Sequence, residues 1–270
     1  MKKFMLISVM VILALVVLIP FLWTFSTSLK PLPEVNKYPP QWTSPNMSLK
    51  PYGDMFFFLP FSTYTLNSLI VALSATVLTL FIGSLAGFAF SRFRFTGKGL
   101  FLLIFLLSQM LPGASVIIPL FQLIREVGLY DTHIGLILVH TAILLPFVIW
   151  LLYGFFLAIP QEIEDAALID GCSRLTALRR VILPLALPGI GATALFAFLG
   201  SWNEFFFALI LTTSDSTRTL PVGIGLFVGE YRDVWNQMSA AAVLFSIPPL
   251  ILFLMTRRTL VKGLAAGALR

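Results

Sequence analysis

Apolar residues run along this chain in long blocks separated by shorter polar stretches. A helix needs about 20 apolar residues to cross the hydrocarbon core of a membrane. Six blocks reach that length, at 4–27, 66–91, 99–124, 134–158, 185–212 and 238–257. The first follows Lys2 and Lys3 and continues from Phe4 to Phe25, with no small-x-small site to close it. That is longer than the apolar core of a signal peptide, so it reads as an uncleaved first helix.

The stretches between blocks differ in kind. Pro31 to Ser62 carries Pro31, Pro33, Pro39, Pro40, Pro45, Pro51 and Pro60, with Tyr38, Trp42 and Tyr52 between them. Such proline density forbids a long helix and favours extended or turn geometry, giving an ordered cap with interfacial aromatics. The 213–237 stretch ends in Tyr231 and Trp235, which suit a membrane-interface belt. Breakers also fall inside blocks: Pro112-Gly113, Pro119, Pro146, Pro188-Gly189 and Pro248-Pro249. Neighbouring helices satisfy the carbonyls such breaks release. Gly83, Gly87, Gly191 and Gly200 allow close helix approach. Packing and a bundle that rocks open both remain readings of these positions.

Composition agrees with lipid as the solvent. The 270 residues are 58% hydrophobic and 11% charged, with mean hydropathy +0.95. A soluble domain averages about 45–50% apolar and about 25% charged. Cys172 is alone, so no intrachain disulfide forms. The net charge of +6 is a matter of topology. With six spans, Lys2, Lys3, Arg92, Arg94, Lys98, Arg174, Arg179, Arg180, Arg257, Arg258, Lys262 and Arg270 share one side, 12 of the 18 basic residues. The positive-inside rule puts that side, and both termini, in the cytoplasm. Nucleic acid is not needed to explain the charge. The expected fold is an all-α integral membrane protein: residues 1–65 as first helix and long outer loop, 66–257 as transmembrane core, 258–270 as cytoplasmic tail.

Several chemistries are missing. No GxxxxGK[ST] string occurs, and Gly97-Lys98-Gly99 does not fit one, so the chain has no phosphate-cradling loop of its own. There is no HExxH and no nucleophile–base pair, so no catalytic or metal-ligating residue is expected. His133 and His140 lie seven apart near the outer end of the fourth block, and two such ligands make a weak metal site, which favours structural roles. Glu204, within Ser201-Trp202-Asn203-Glu204-Phe205, is the one clear acidic residue inside a block. An ion-coupled carrier normally sets several carboxylates at the midplane. A lone carrier using Glu204, and a non-transporting scaffold, are the alternatives to the reading below. Trp202, Asn203 and Glu204 also pair an aromatic face with hydrogen-bonding groups, as sugar sites do, which makes them candidates for a solute path.

The richest stretch is the cytoplasmic loop 159–184. Pro160 suits the first turn of a helix, and Glu162, Glu164 and Asp165 sit at its positive end. Ala166, Ala167 and Leu168 continue it, and Gly171 stops it. Ser173 then caps a second helix with Leu175, Leu178 and Ile182 on one face, and Pro184 and Pro188 return the chain to the membrane. The loop reads as two short helices turning at Asp170-Gly171. A hairpin lying on lipid headgroups is the plainer reading, but its acidic start argues against attraction to anionic lipid.

The string EDAALIDG followed by VILPLALPG resembles the EAA motif of importer-type ABC permeases, matched here by Glu164 or Asp165, Ala166, Ala167, Gly171 and Leu183-Pro184. Asp170-Gly171-Cys172 departs slightly from the usual Asp-Gly-Ala. TSLKP, NSLIVALSATVLTLFIGSLAGFAFSRFRF, SWNEFFFALI and the tail LVKGLAAGALR are similar to the carbohydrate, maltose-permease-G-like subgroup. The resemblance implies a type I importer permease fold and a multi-pass cell-membrane location. It implies a second homologous permease, two ABC ATPase subunits that bind ATP and Mg, and an extracytoplasmic sugar-binding protein. This chain would bind no cofactor itself. Glu164, Asp165, Ala166, Ala167, Asp170, Gly171, Leu183 and Pro184 would couple it to the ATPase, with the tail 264–270 near that interface.

Overall fold

The computed structural model describes residues 2–226 and 234–268, and the regular structure among the described residues is all helical, without strands. The belt position Tyr231 lies outside them, and so do the side chains of 258–270, including the tail 264–270. The helices in order are α1 (Lys2–Ser28), α2 (Leu32–Val35), α3 (Lys50–Phe58), α4 (Phe61–Arg92), α5 (Lys98–Ser108), α6 (Gly113–Glu126), α7 (His133–Leu157), α8 (Gln161–Ile169) and α9 (Arg174–Ala177). They continue with α10 (Leu183–Trp202), α11 (Phe206–Leu211), α12 (Leu220–Gly225), α13 (Trp235–Phe245) and α14 (Ile247–Ala268). Five of the runs are long and apolar enough to cross a membrane, or six if the bent pair α5–α6 makes one span.

The third apolar block is therefore two helices, not one. α5 and α6 meet at 98° across Gln109–Pro112. Pro112 is extended (φ −63°, ψ 129°) and has no N–H to carry a helix through, so α6 starts afresh behind it. The proline-rich stretch also departs from expectation, because it contains the nine-residue α3. Pro51 stands in the first turn of α3, where a missing N–H costs nothing.

The chain divides into two compact units, 1–65 with 220–248, and 66–219 with 249–270. Residues 220–248 thus group with the first helix and its loop rather than with 66–219. In the first unit α13 packs on α1, α2 and α3. The proline-rich stretch is pinned there by polar contacts. Lys30 is buried over the Trp23 ring, 4.6 Å from its centroid, and its ammonium donates to the Gln41 carbonyl. Asn236 Nδ2 donates to the Lys30 carbonyl at 3.1 Å, and Trp42 stands edge-on to Trp23 at 5.0 Å.

In the second unit α7 is the central element, packed by α5, α10 and α11. Its core joins Phe88 of α4, Val148, Leu152 and Phe156 of α7, Leu178 and Ile182, and Ala186 and Ala197 of α10. In lipid this core is held by close packing rather than by exclusion of water, so small residues at the contacts matter. A Cβ on Gly83 would come 2.7 Å from Val148 of α7, one on Gly200 2.6 Å from Leu144, and one on Gly189 2.4 Å from the Phe155 ring.

Candidate functional site

The 159–184 segment folds as a helical hairpin. Pro160 stands immediately before α8 in an extended conformation, and Glu162 and Glu164 occupy the first turn, where the helix dipole favours negative charge. The helix ends because Gly171 takes φ +87°, a left-handed conformation that costs a side-chain-bearing residue free energy. Its N–H donates to the Leu168 carbonyl at 3.1 Å, and the Cys172 N–H donates to Ala167 at 3.0 Å. Those two bonds satisfy carbonyls that a helix end otherwise leaves open. Nothing lies within 4 Å of where a Gly171 Cβ would be, so backbone conformation alone selects glycine. Ser173 then caps α9, its Oγ accepting from the Thr176 N–H at 3.3 Å.

The second arm of the hairpin does not end at Pro184 as a separate short helix. It runs through Leu178–Ile182 in a π turn and on into α10, giving one helical rod from Arg174 to Trp202. Pro184 lacks the N–H that would meet the Arg180 carbonyl, and its ring would crowd that carbonyl in a regular helix. The wider π turn directly upstream makes room.

The expected coupling residues split by face. Glu164 and Ala167 are buried against the bundle. Asp165, Ala166, Asp170 and Gly171 are exposed, beside Ile169 and Leu175, which are 86% and 66% exposed. Leu183 is half-buried and Pro184 exposed, both on the rod.

Glu164 turns inward onto a basic partner. Its Oε2 lies 2.7 Å from Nε of Arg92, the last residue of α4, and both side chains are almost wholly buried. Arg92 also donates from Nη2 to the Ile159 carbonyl at 3.0 Å. Arg174 of α9 approaches the other Glu164 oxygen at 3.9 Å, and its guanidinium lies 5.0 Å over the Phe93 ring. The end of α4, α8 and α9 thus meet at one carboxylate. Sequence reasoning counted Arg92 only as a topological charge; it stands 72 positions from Glu164, and no local pattern joins them.

The candidate solute-path residues lie at the break between α10 and α11. Trp202 is buried and stacked on Phe198, with ring centroids 5.6 Å apart. Asn203 is exposed, and its Nδ2 donates to the Leu199 carbonyl at 2.8 Å. Glu204 caps α11 by accepting from the N–H groups of Phe207 at 2.9 Å and Ala208 at 3.0 Å. Its Oε2 also lies 3.3 Å from Nε2 of buried His140, whose Nδ1 is 2.7 Å from Ser201 Oγ. The three are adjacent in sequence but differ in exposure and in partners.

At the N-terminal end of α7, away from the hairpin, Asp131 organises a turn that sequence reasoning passed over. Its Oδ1 accepts from the N–H groups of Thr213 at 2.9 Å and Ser214 at 3.2 Å, and from the Thr217 hydroxyl. Burial opposes ionisation of Asp131, yet these donors together hold its pKa down at about 2. His133 bonds Asn67 Oδ1 at 3.0 Å, and Asn67 in turn donates to the Arg218 carbonyl at 2.9 Å.

Helices of this length, a bent span and a hairpin between the fourth and fifth apolar blocks fit an integral membrane protein. The model of the binding-protein-dependent transport system inner membrane component family matches residues 79–265, and the chain belongs to that family. The diacetylchitobiose uptake system permease protein DasC of Streptomyces coelicolor is 36% identical over 260 residues, covering 96% of this chain and 94% of that protein. The trehalose/maltose transport system permease protein MalG of Thermococcus litoralis is 36% identical over 272 residues, covering 100% of this chain and 97% of that one. The fold is also that of a chain from a bacterial ABC transporter involved in the import of the acidic polysaccharide alginate, with a TM-score of 0.78 at 23% identity over 95% of this chain and 96% of the other. The chain is accordingly an inner-membrane transport subunit and not an enzyme. A carrier working alone through Glu204 is not favoured.

Proposed function

We propose that this chain is one permease of an ATP-driven importer for a sugar of the di- or oligosaccharide class, such as a maltose-type glucan. The substrates named for its relatives, diacetylchitobiose and trehalose or maltose, support that class. In this reading both termini lie in the cytoplasm, a second homologous permease completes the path, and an extracytoplasmic binding protein delivers the sugar. ATP and Mg belong to two separate ATPase subunits, one beneath each permease.

The observation that carries the reading is the α8–α9 hairpin. It presents Asp165, Ala166, Asp170 and Gly171 with the exposed Ile169 and Leu175, a small apolar surface edged by acid. It is joined without interruption to α10, so a push on the hairpin is delivered to a span. Asp165 is the carboxylate available to an ATPase groove, and Glu164 supports the hairpin from inside. Leu183 and Pro184 serve as part of the rod. On the solute path Asn203 is the contact residue, with Trp202 and Glu204 holding it in place.

Gly171→Asp tests the coupling. Aspartate tolerates the left-handed conformation better than most residues, so the chain is expected to insert and to assemble with its permease partner. The added charge and bulk on the docking face are expected to abolish sugar uptake while the ATPase subunits still hydrolyse ATP. Uptake at the parent rate by a fully inserted mutant would overturn the reading.

A further inference from the structure

The docking face explains where force enters, but not how α4, which ends beside the hairpin, follows it. We infer that Arg92 is a positioning residue that fastens the hairpin to α4, so that the two move as one piece when the ATPases close. This rests on the hairpin being the ATPase-facing element.

Three observations on separate elements converge. Arg92 is the last residue of α4, and its side chain and that of Glu164 are 5% and 3% exposed, at 2.7 Å. Each member of the pair makes burial of the other tolerable. Arg92 also holds the entry to the hairpin through the Ile159 carbonyl, so one guanidinium grips both ends of the first turn. Arg174 closes the arrangement from α9, lying between Glu164 and Phe93, the residue that follows Arg92.

The alternatives within the fold do less. α7 reaches the hairpin through the short connection at Ala158–Pro160, and α10 through the continuous rod. Neither of those covalent routes includes α4. The charged pair is short and almost wholly out of water, whereas apolar contacts between helices slide at small cost. A guanidinium forked between a carboxylate and a carbonyl resists such sliding, because rotation of α8 in place would separate charges that have no water to replace them.

The test uses the whole transporter, with both permeases and both ATPases, in lipid nanodiscs. Cys172→Ser removes the native thiol, and spin labels at Gln161→Cys, an exposed position at the start of α8 outside the docking face, and Leu85→Cys on α4 report their separation by pulsed electron resonance. In the parent the separation is expected to be the same without nucleotide and after trapping with ATP and vanadate. In Arg92→Gln and in Glu164→Gln, trapping is expected to shift the distance and broaden its distribution while ATPase subunits still co-purify. The double variant Arg92→Gln/Glu164→Gln is expected to match either single variant, because the pair acts as a unit. Arg92→Lys, which keeps the charge but loses the fork, is expected to lie between parent and Gln variant.

A separation in Arg92→Gln that stays fixed on trapping, or shifts that add in the double variant, would overturn the fastening role while leaving the docking role intact. Failure of the parent chain to retain any ATPase would overturn both.

Discussion

Glu164 and Glu204 are both sequestered glutamates in the same unit, and they are held in opposite ways. Glu164 faces a guanidinium from α4 and gathers three separate elements at the inner turn of the hairpin. Glu204 spends its oxygens on the N–H groups of Phe207 and Ala208 in the first turn of α11, with His140 beside it. The first carboxylate works between elements, and the second repairs a break within one span. A buried charge is therefore not by itself a sign of a solute or ion site. The partners decide: where the backbone takes the lone pairs the residue shapes a local bend, and where a distant cation takes them it ties elements together.

The sharpest way to break this contrast is Glu164→Leu, which leaves Arg92 buried without its carboxylate. That is expected to cost about 3–5 kcal/mol, read as a fall in the unfolding temperature of the detergent-purified chain. Adding Arg92→Met should recover most of the loss, since replacing both partners by apolar groups is often close to neutral. A double variant as unstable as the single would mean that Glu164 acts other than through Arg92. A smaller effect is expected from Glu204→Ala. Losing the cap of α11 should cost about 2 kcal/mol at most, and Gln at the same position should restore part of it by keeping one acceptor oxygen. Equal damage by Ala and Gln would show that the charge beside His140, not the cap, is what matters.

The smallest effect belongs to Asp131, a carboxylate served by uncharged donors from the 213–217 turn. Its pKa in the folded chain is about 2, below the ordinary aspartate value, so its contribution is complete above about pH 4 and fades as the pH falls toward 2. Asp131→Asn should flatten that acid limb of the stability profile and leave stability near pH 7 only slightly lower. An acid limb unchanged in the variant would assign it to other carboxylates.

What could be read in the sequence was what short-range physics writes there. The apolar blocks became spans because a bilayer demands length, and the hairpin turned at Gly171 and was capped at Ser173 because those residues solve local backbone problems. The break at Pro112 was visible, but its 98° angle was not, since an angle is set by what the two helices pack against. The ion pair of Arg92 with Glu164 was also out of reach. Each residue alone looks like an ordinary charge at a helix end, and only folding brings them together. The grouping of 220–248 with 1–65 has the same origin, in contacts between segments far apart along the chain.

The π turn at Leu178–Ile182 has a consequence for how this stretch tolerates insertion and deletion. A regular helix advances about 100° per residue, so one residue added to or taken from a regular part of the rod turns everything on one side of the change by that angle. A π turn takes about one residue more than an α turn to come round, so loss of one residue here would return the backbone toward a regular helix and leave Leu178 on the side of Phe88 and Phe156. The obstacle to that loss is Pro184, whose ring would then crowd the carbonyl four residues before it. Related chains that lack a proline at this point of the rod should be the ones that run through the interval with one residue fewer.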